Sequence, residues 1–138
     1  MKKVKRIDLS SHILYNEYEN IFTYFMGGKI MSQSIKLISL LKAKPGVSRE
    51  EFKRHWLEDH APLTLRFRNL KGYRINIAAD EYQEIEGELP YDGTAELWWD
   101  TLEEMKEDFS STAADDALAD CRTFMVNTHI YTKEYIIK

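Results

Sequence analysis

A chain of 138 residues with 43% apolar and 30% charged side chains has room for one domain with its own hydrophobic core, and this composition excludes a disordered or collagen-like polypeptide. Nineteen basic residues against 23 acidic ones leave a net charge of −4, which argues against nucleic acid as a partner; the single cysteine, Cys121, excludes an intrachain disulfide and an all-cysteine metal cage. No apolar run approaches the ~20 residues of a membrane span, so a cytoplasmic protein with no membrane partner is expected.

The basic start, Met1 to Arg6, is followed by Asp8, His12, Asn16 and Glu17, which interrupt the apolar stretch that export requires. Residues 1–34 hold five basic and three acidic side chains and the flexible pair Gly27-Gly28, whereas the rest of the chain holds 14 basic and 20 acidic ones. Two readings of this N-terminal extension stand side by side. Gly27-Gly28-Lys29 can be encoded by a purine-rich stretch of the ribosome-binding kind, which would make residues 1–30 upstream read-through before a start at Met31. The other reading is a short appended helix around Leu14 to Phe25.

From residue 35 to 138 the pattern is regular. Ile35 to Leu41 is a short apolar run stopped by Lys44-Pro45-Gly46, as a first strand and its turn require. Ser48-Arg49-Glu50-Glu51 is a capping box, and the helix it opens sets Phe52, Trp56, His60 and Leu63 on one face. Pro62 disfavours helical geometry at Ala61, so this helix is expected to end or kink there. Lys71 to Ala79 alternates as a second strand, with Tyr73, Ile75 and Ile77 on one side and Arg74 and Asn76 on the other. Residues 80–92 read as a solvated acidic loop. Gly93 to Asp100 forms a third strand, with Ala95, Leu97 and Trp99 opposite Thr94, Glu96 and Trp98. Thr101-Leu102-Glu103-Glu104 repeats the capping box before a second helix bearing Met105 and Phe109. After a polar break at Ser110-Ser111-Thr112, a short helix is expected over Asp115 to Phe124 and a last strand over Asn127 to Lys138.

Strand, helix, strand, strand, helix, strand is the α+β, ferredoxin-like βαββαβ order, with a four-stranded antiparallel sheet. Its helices cover one sheet face only, yet the adjacent Trp98 and Trp99 point to opposite faces. An apolar uncovered face is best supplied by a second copy of the chain, so a homodimer packed sheet to sheet is expected.

His60 shares the face of Phe52 and Trp56 and sits at the proline break, where an imidazole with an ordinary pKa of ~6.5 can transfer protons near neutrality. The competing reading is a buried histidine that hydrogen-bonds to the backbone at a helix end. Asp59 points about 100° away on an α-helix, so a carboxylate orienting His60 should come from elsewhere. His55 and His60 are about 140° apart on an α-helix and do not make a metal pair; adding His129 gives a zinc site only if the fold converges all three, and His129 reads otherwise as a surface or interface residue. Glu96 is expected to pair with Arg74, and Cys121 to be a buried inert thiol. No phosphate-cradling loop, nucleophile elbow or dinucleotide fingerprint is present.

The block Ile35 to Leu63, with Phe52, Trp56 and His60-Ala61-Pro62-Leu63, resembles the EthD-like family of dimeric α+β barrels. Tyr91-Asp92-Gly93-Thr94-Ala95-Glu96-Leu97-Trp98 is similar to that family's second motif, and Leu118-Ala119-Asp120 to Phe124 to its third, where Cys121 stands in place of a second acidic residue. The resemblance implies a ligand cleft between sheet and helices lined by Trp56, His60, Tyr73 and Trp98. It further implies a small apolar, aromatic or polyketide-like ligand and, if the chain is an enzyme, His60 as proton donor or acceptor in a lyase, isomerase or oxygenase reaction with no metal or cofactor. The alternative is a non-catalytic carrier or an accessory protein of an oxygenase system; a haem-associated barrel is a remoter one.

Overall fold

The apolar run that begins at Ile35 becomes an inner strand of a four-stranded antiparallel sheet with the order β2-β3-β1-β4. The computed structural model describes residues 34–85 and 87–138, and the readings offered for the N-terminal segment lie outside them. In chain order the elements are β1 (Ile35–Ala43), a helix α1 (49–64), β2 (Gly72–Ile77), a short α2 (Tyr82–Ile85), β3 (Gly93–Trp99), α3 (Leu102–Phe109), α4 (Thr112–Phe124) and β4 (Met125–Thr132). This is the ferredoxin-like arrangement, with the second crossover helix divided in two. No helix among the described residues is long and apolar enough to cross a membrane.

The expected caps are formed. Ser48 Oγ accepts from the Glu51 N–H at 3.1 Å, and Thr101 Oγ1 from the Glu104 N–H at 3.2 Å, each satisfying a donor that a helix start leaves open. The Glu51 carboxylate does not reach back to complete its box; it pairs with Arg54 at 2.8 Å. Several boundaries differ from expectation. Ser111, expected within a polar break, caps α4 at Ala114, so that helix starts at Thr112 rather than Asp115. The last strand starts at Met125 and ends at Thr132, because Phe124 still closes the helix and only Met125 to Thr132 face partners on β1. The acidic loop contains the single turn α2.

Helix α1 departs most from expectation. It does not end at Pro62: Ala61 is helical at φ −55° and ψ −41°, and the helix runs to Thr64. Its first part, Arg49–Arg54, is α-helical; the second, His55–His60, is a π-helix in which each turn holds one more residue; the third, Ala61–Thr64, is α-helical again. The Ala61 N–H donates to the carbonyl of Trp56, five residues back. Pro62 then falls in the first turn of the α-segment that follows, the part of a helix in which proline is tolerated.

Alternation assigns the sheet faces. Leu37, Ser39 and Leu41 of β1 and Ala95, Leu97 and Trp99 of β3 turn toward the helices and are buried or nearly so. Phe52 and Trp56 come down on them from α1, and Met105, Ala114, Ala117 and Phe124 from α3 and α4. Trp99, with no exposed surface, donates its indole N–H to Asp108 Oδ2 at 2.7 Å; the same buried carboxylate accepts from the backbone N–H of Asn69. Fully burying each of these large side chains is worth about 1.5–3 kcal/mol.

The opposite face carries Trp98, Glu96, Lys36 and Arg74. Glu96 does not ion-pair with Arg74, although the two are register partners; it takes Lys36 at 3.1 Å and Asn76 at 3.0 Å, and these two hold its carboxyl below the usual range. The Arg74 guanidinium lies instead 4.9 Å from the centroid of the Trp98 ring, where the π-face attracts a cation. Lys36 completes the cluster by pairing with Glu134.

Candidate functional site

Between the helix-facing side of the sheet and the helices lies an apolar cavity of about 190 Å³. Leu37, Leu41, Ala95 and Leu97 form its floor, Trp56 and His60 enter from α1, and Tyr73 stands at the β2 end. On the other side the edge strand β4 contributes Asn127, His129 and Tyr131, all exposed, so this rim is the polar and solvated one.

Three of the four residues named from the sequence line this cavity: His60, Trp56 and Tyr73. Trp98 does not. It lies on the other sheet face, with Lys36 Nζ 5.0 Å from its ring centroid and the ring filling the space above Gly72. The alternation that buries Ala95, Leu97 and Trp99 necessarily turns Trp98 the other way.

His60 is buried, and its two ring nitrogens have different surroundings. Nδ1 lies 2.9 Å from Asp120 Oδ2; a carboxylate only accepts, so Nδ1 carries the proton and donates it. Nε2 is then the lone-pair nitrogen, and it faces the cavity. Its neighbours there are distant ones: Thr64 Oγ1 at 3.4 Å and Cys121 Sγ at 3.7 Å. Burial pushes the imidazole pKa below its ordinary value, against the upward pull of Asp120, so the neutral ring with a free Nε2 is the form favoured near pH 7. No hydrogen bond to backbone is needed to account for the ring.

The remaining polar groups of the cavity are held to match. The Trp56 indole N–H donates to the Tyr73 hydroxyl at 3.2 Å, and burial pushes the Tyr73 pKa up, so it remains a phenol. Thr64 interacts with both the Tyr73 hydroxyl and His60 Nε2. Burial, together with Asp120, pushes the Cys121 thiol up to about 11; as a neutral thiol it is a poor nucleophile.

The sequence reading named two further residues of this site but gave neither a role beside His60. Asp120, on α4, supplies the carboxylate that Asp59 could not. His55 joins the same carboxylate, with Nε2 2.9 Å from Oδ1 and 3.1 Å from Oδ2. The angle of about 140° between His55 and His60 holds for an α-helix only. In a π turn residue i bonds to i+5, so residues five apart stack on one face, and both histidines reach α4. The one available signal was a proline inside an otherwise unbroken apolar period. His129 stays on β4, and among the described residues no group of three His, Cys, Asp or Glu side chains is disposed to hold a metal ion.

A family model described as the EthD domain matches residues 44–128, well over half of the chain. No curated protein is significantly similar in sequence. Among solved structures, an ethyl tert-butyl ether D (EthD) family protein of Bacillus halodurans C-125 superposes with a TM-score of 0.63 at 21% identity, over 75% of this chain and 100% of that one. An EthD-like protein of Ralstonia eutropha JMP134 gives 0.57 at 11% identity, over 76% and 95%. SnoaB of Streptomyces nogalater, described as a cofactor-independent oxygenase, gives 0.57 at 8% identity, over 75% and 94%.

Proposed function

This chain belongs to the EthD domain family, and from that premise we propose that it binds a small, largely apolar organic compound in the cavity over the sheet and moves a proton on it through His60, without a cofactor. The observation that carries this reading is the polarity of the His60 ring: Nδ1 is committed to Asp120, while Nε2 meets the cavity with only two long contacts. A buried neutral imidazole beside an ionised carboxylate can take a proton at Nε2 and is then stabilised as imidazolium by Asp120. The same ring can return that proton to another atom of the ligand, which suits a lyase, an isomerase or cyclase, or an oxygenase that begins by deprotonating its substrate. SnoaB, a cofactor-independent oxygenase on the same fold, supports the last of these as one chemistry this scaffold accommodates.

Size limits the ligand. An apolar cavity of about 150 Å³ takes up benzene, so about 190 Å³ suits one ring or a compact bicycle. A longer aromatic or polyketide-like substrate would extend past Asn127 and His129 into solvent. Tyr73 and Thr64 would orient a polar substituent, and the wall of Trp56 would hold the ring.

We further infer a homodimer formed through the face that bears Trp98. Val126 and Ile130 of β4 are exposed there, 60% and 63%, next to Ile38 and Leu40 of β1. A Bacteroides fragilis protein of ferredoxin-like fold, with a TM-score of 0.56 at 12% identity, is described as dimeric. Light scattering on the purified chain tests this, and a monomer at micromolar concentration rejects it.

The test of function is a panel of aromatic acids and phenols screened by quenching of tryptophan emission, followed by turnover assays on the binders. His60→Gln is expected to lower turnover by about 10²–10⁴-fold while leaving affinity within a few-fold. Turnover unchanged in that variant would reject His60 as the acid–base group. Binding without turnover in either protein would leave a ligand carrier.

A further inference from the structure

We propose that His55 is a positioning residue for His60, acting through the Asp120 carboxylate that both imidazoles share. The inference deepens the reading of His60 as the proton-transferring group and rests on it. Its basis is geometric. Asp120 Oδ2 accepts from His60 Nδ1 at 2.9 Å, and His55 Nε2 lies 2.9 Å from Oδ1 and 3.1 Å from Oδ2. One negative charge therefore serves two rings. The π turn is what makes this sharing possible: in an α-helix the two histidines would diverge, and α4 could meet only one of them.

The two rings are not equivalent. The His60 side chain is 7% exposed and opens to the cavity; the His55 side chain is 20% exposed and opens to solvent. Both pack on Phe124, at centroid distances of 4.3 Å for His55 and 5.4 Å for His60, so neither can turn away from Asp120 without leaving that ring. The second nitrogen of His55, Nδ1, is 3.3 Å from Asp59 Oδ2, and Asp59 is held by Arg54 at 2.9 Å. Each nitrogen of His55 thus faces a carboxylate, and a proton on either one finds an acceptor.

Charge sharing has a direct consequence for His60. When His55 carries its second proton, the Asp120 charge is largely taken up by it, and a second imidazolium at His60 is opposed by repulsion. When His55 is neutral, Asp120 is free to support a charged His60. A charge on His55 thus lowers the proton affinity of His60. Glu51 also senses the charge of His55. On α1, Glu51 pairs with Arg54, and Asp59 is the His55 partner just described. From α4 come Asp120 itself and Cys121, a neutral thiol; from β2 comes Tyr73, a neutral phenol; from β4, His129 lies at the rim on the far side of the cavity.

The experiment is an imidazole NMR titration of the full chain, isotope-labelled at histidine, which needs no substrate. In the wild type the His60 curve is expected to be broadened, with an inflection at the midpoint of His55. His55→Gln retains a hydrogen-bond donor for Asp120 but removes the titrating ring. There His60 should follow a single-site curve with its midpoint raised by about half a pH unit or more. Asp120→Asn should lower it. A His60 midpoint unchanged in His55→Gln overturns the proposal, whatever happens to melting temperature. If His55→Gln fails to fold, the wild-type curve decides: a simple one-site shape with no inflection at the His55 midpoint also overturns it. Turnover persisting in His60→Gln would remove the catalytic reading and leave these titrations as they are, so the two failures are distinguishable.

Discussion

The indole nitrogen of Trp56 ends on the hydroxyl of Tyr73, 3.2 Å away, and this one bond ties helix α1 to strand β2 across the end of the cavity. Trp56 has no exposed surface, so its N–H has no water to fall back on. Tyr73→Phe is expected to cost about 1–3 kcal/mol, the usual penalty for a buried donor left unsatisfied. Urea denaturation measures the loss. A Tyr73→Phe protein as stable as the parent would show that the indole finds another acceptor.

Acid should weaken the fold earlier than its carboxylates alone would allow. Burial holds the His60 pKa in the folded state below the ordinary 6.5 of the unfolded chain. As the pH falls through 6.5 the unfolded state takes up this proton first. Stability is therefore complete above that value and declines until the folded midpoint is reached. Glu96, whose pKa is held below 4.5, contributes its loss only at lower pH. Urea midpoints at about pH 7.5 and about pH 5.5 should differ in the wild type and differ less in His60→Gln.

Gly93 lies under the edge of Trp56. A Cβ built there would stand 2.4 Å from the Asn76 carbonyl oxygen and 2.8 Å from Trp56 Cζ3. The carbonyl belongs to the β2–β3 ladder and cannot swing aside, so Gly93→Ala must move strand or indole. Overpacking of this kind costs about 1–3 kcal/mol. Loss of ligand binding should accompany it, because the displaced indole is the cavity wall.

Emission quenching separates the tryptophans. A ligand in the cavity touches Trp56, while Trp98 on the other sheet face does not meet it. Quenching is expected to persist in Trp98→Phe and to fall sharply in Trp56→Phe. The reverse result would move the binding site to the face now assigned to dimerisation.

Much of this was legible in the sequence because it rests on local rules. The caps at Ser48 and Thr101, the alternation of β3 and the order of elements follow from side-chain chemistry and period. The face of Trp98 was legible only in part: alternation set it with Thr94 and Glu96 opposite Trp99, but period alone does not say which of the two sides meets the helices, and the family resemblance pointed it toward the ligand. The π turn was not legible. It shifts backbone hydrogen bonds from i+4 to i+5 without demanding any particular side chain, so an α-helical projection separated His55 from His60. Asp120 stood only as part of the third motif of the resemblance, and its contact with His60 was unreadable for another reason. Asp120 stands sixty positions further along the chain than His60, and only the packing of α4 against α1 closes that distance.

The extra residue in the middle of α1 works as a phase shift. Everything after it is rotated by about 100° relative to an uninterrupted α-helix. The length of the segment between the two histidines is therefore fixed more strictly than its composition. Leu57 and Glu58 are exposed, and their side chains are open to substitution. Deleting either would rewind the helix, swing His60 off the carboxylate it now shares, and return Pro62 to collision with the preceding turn.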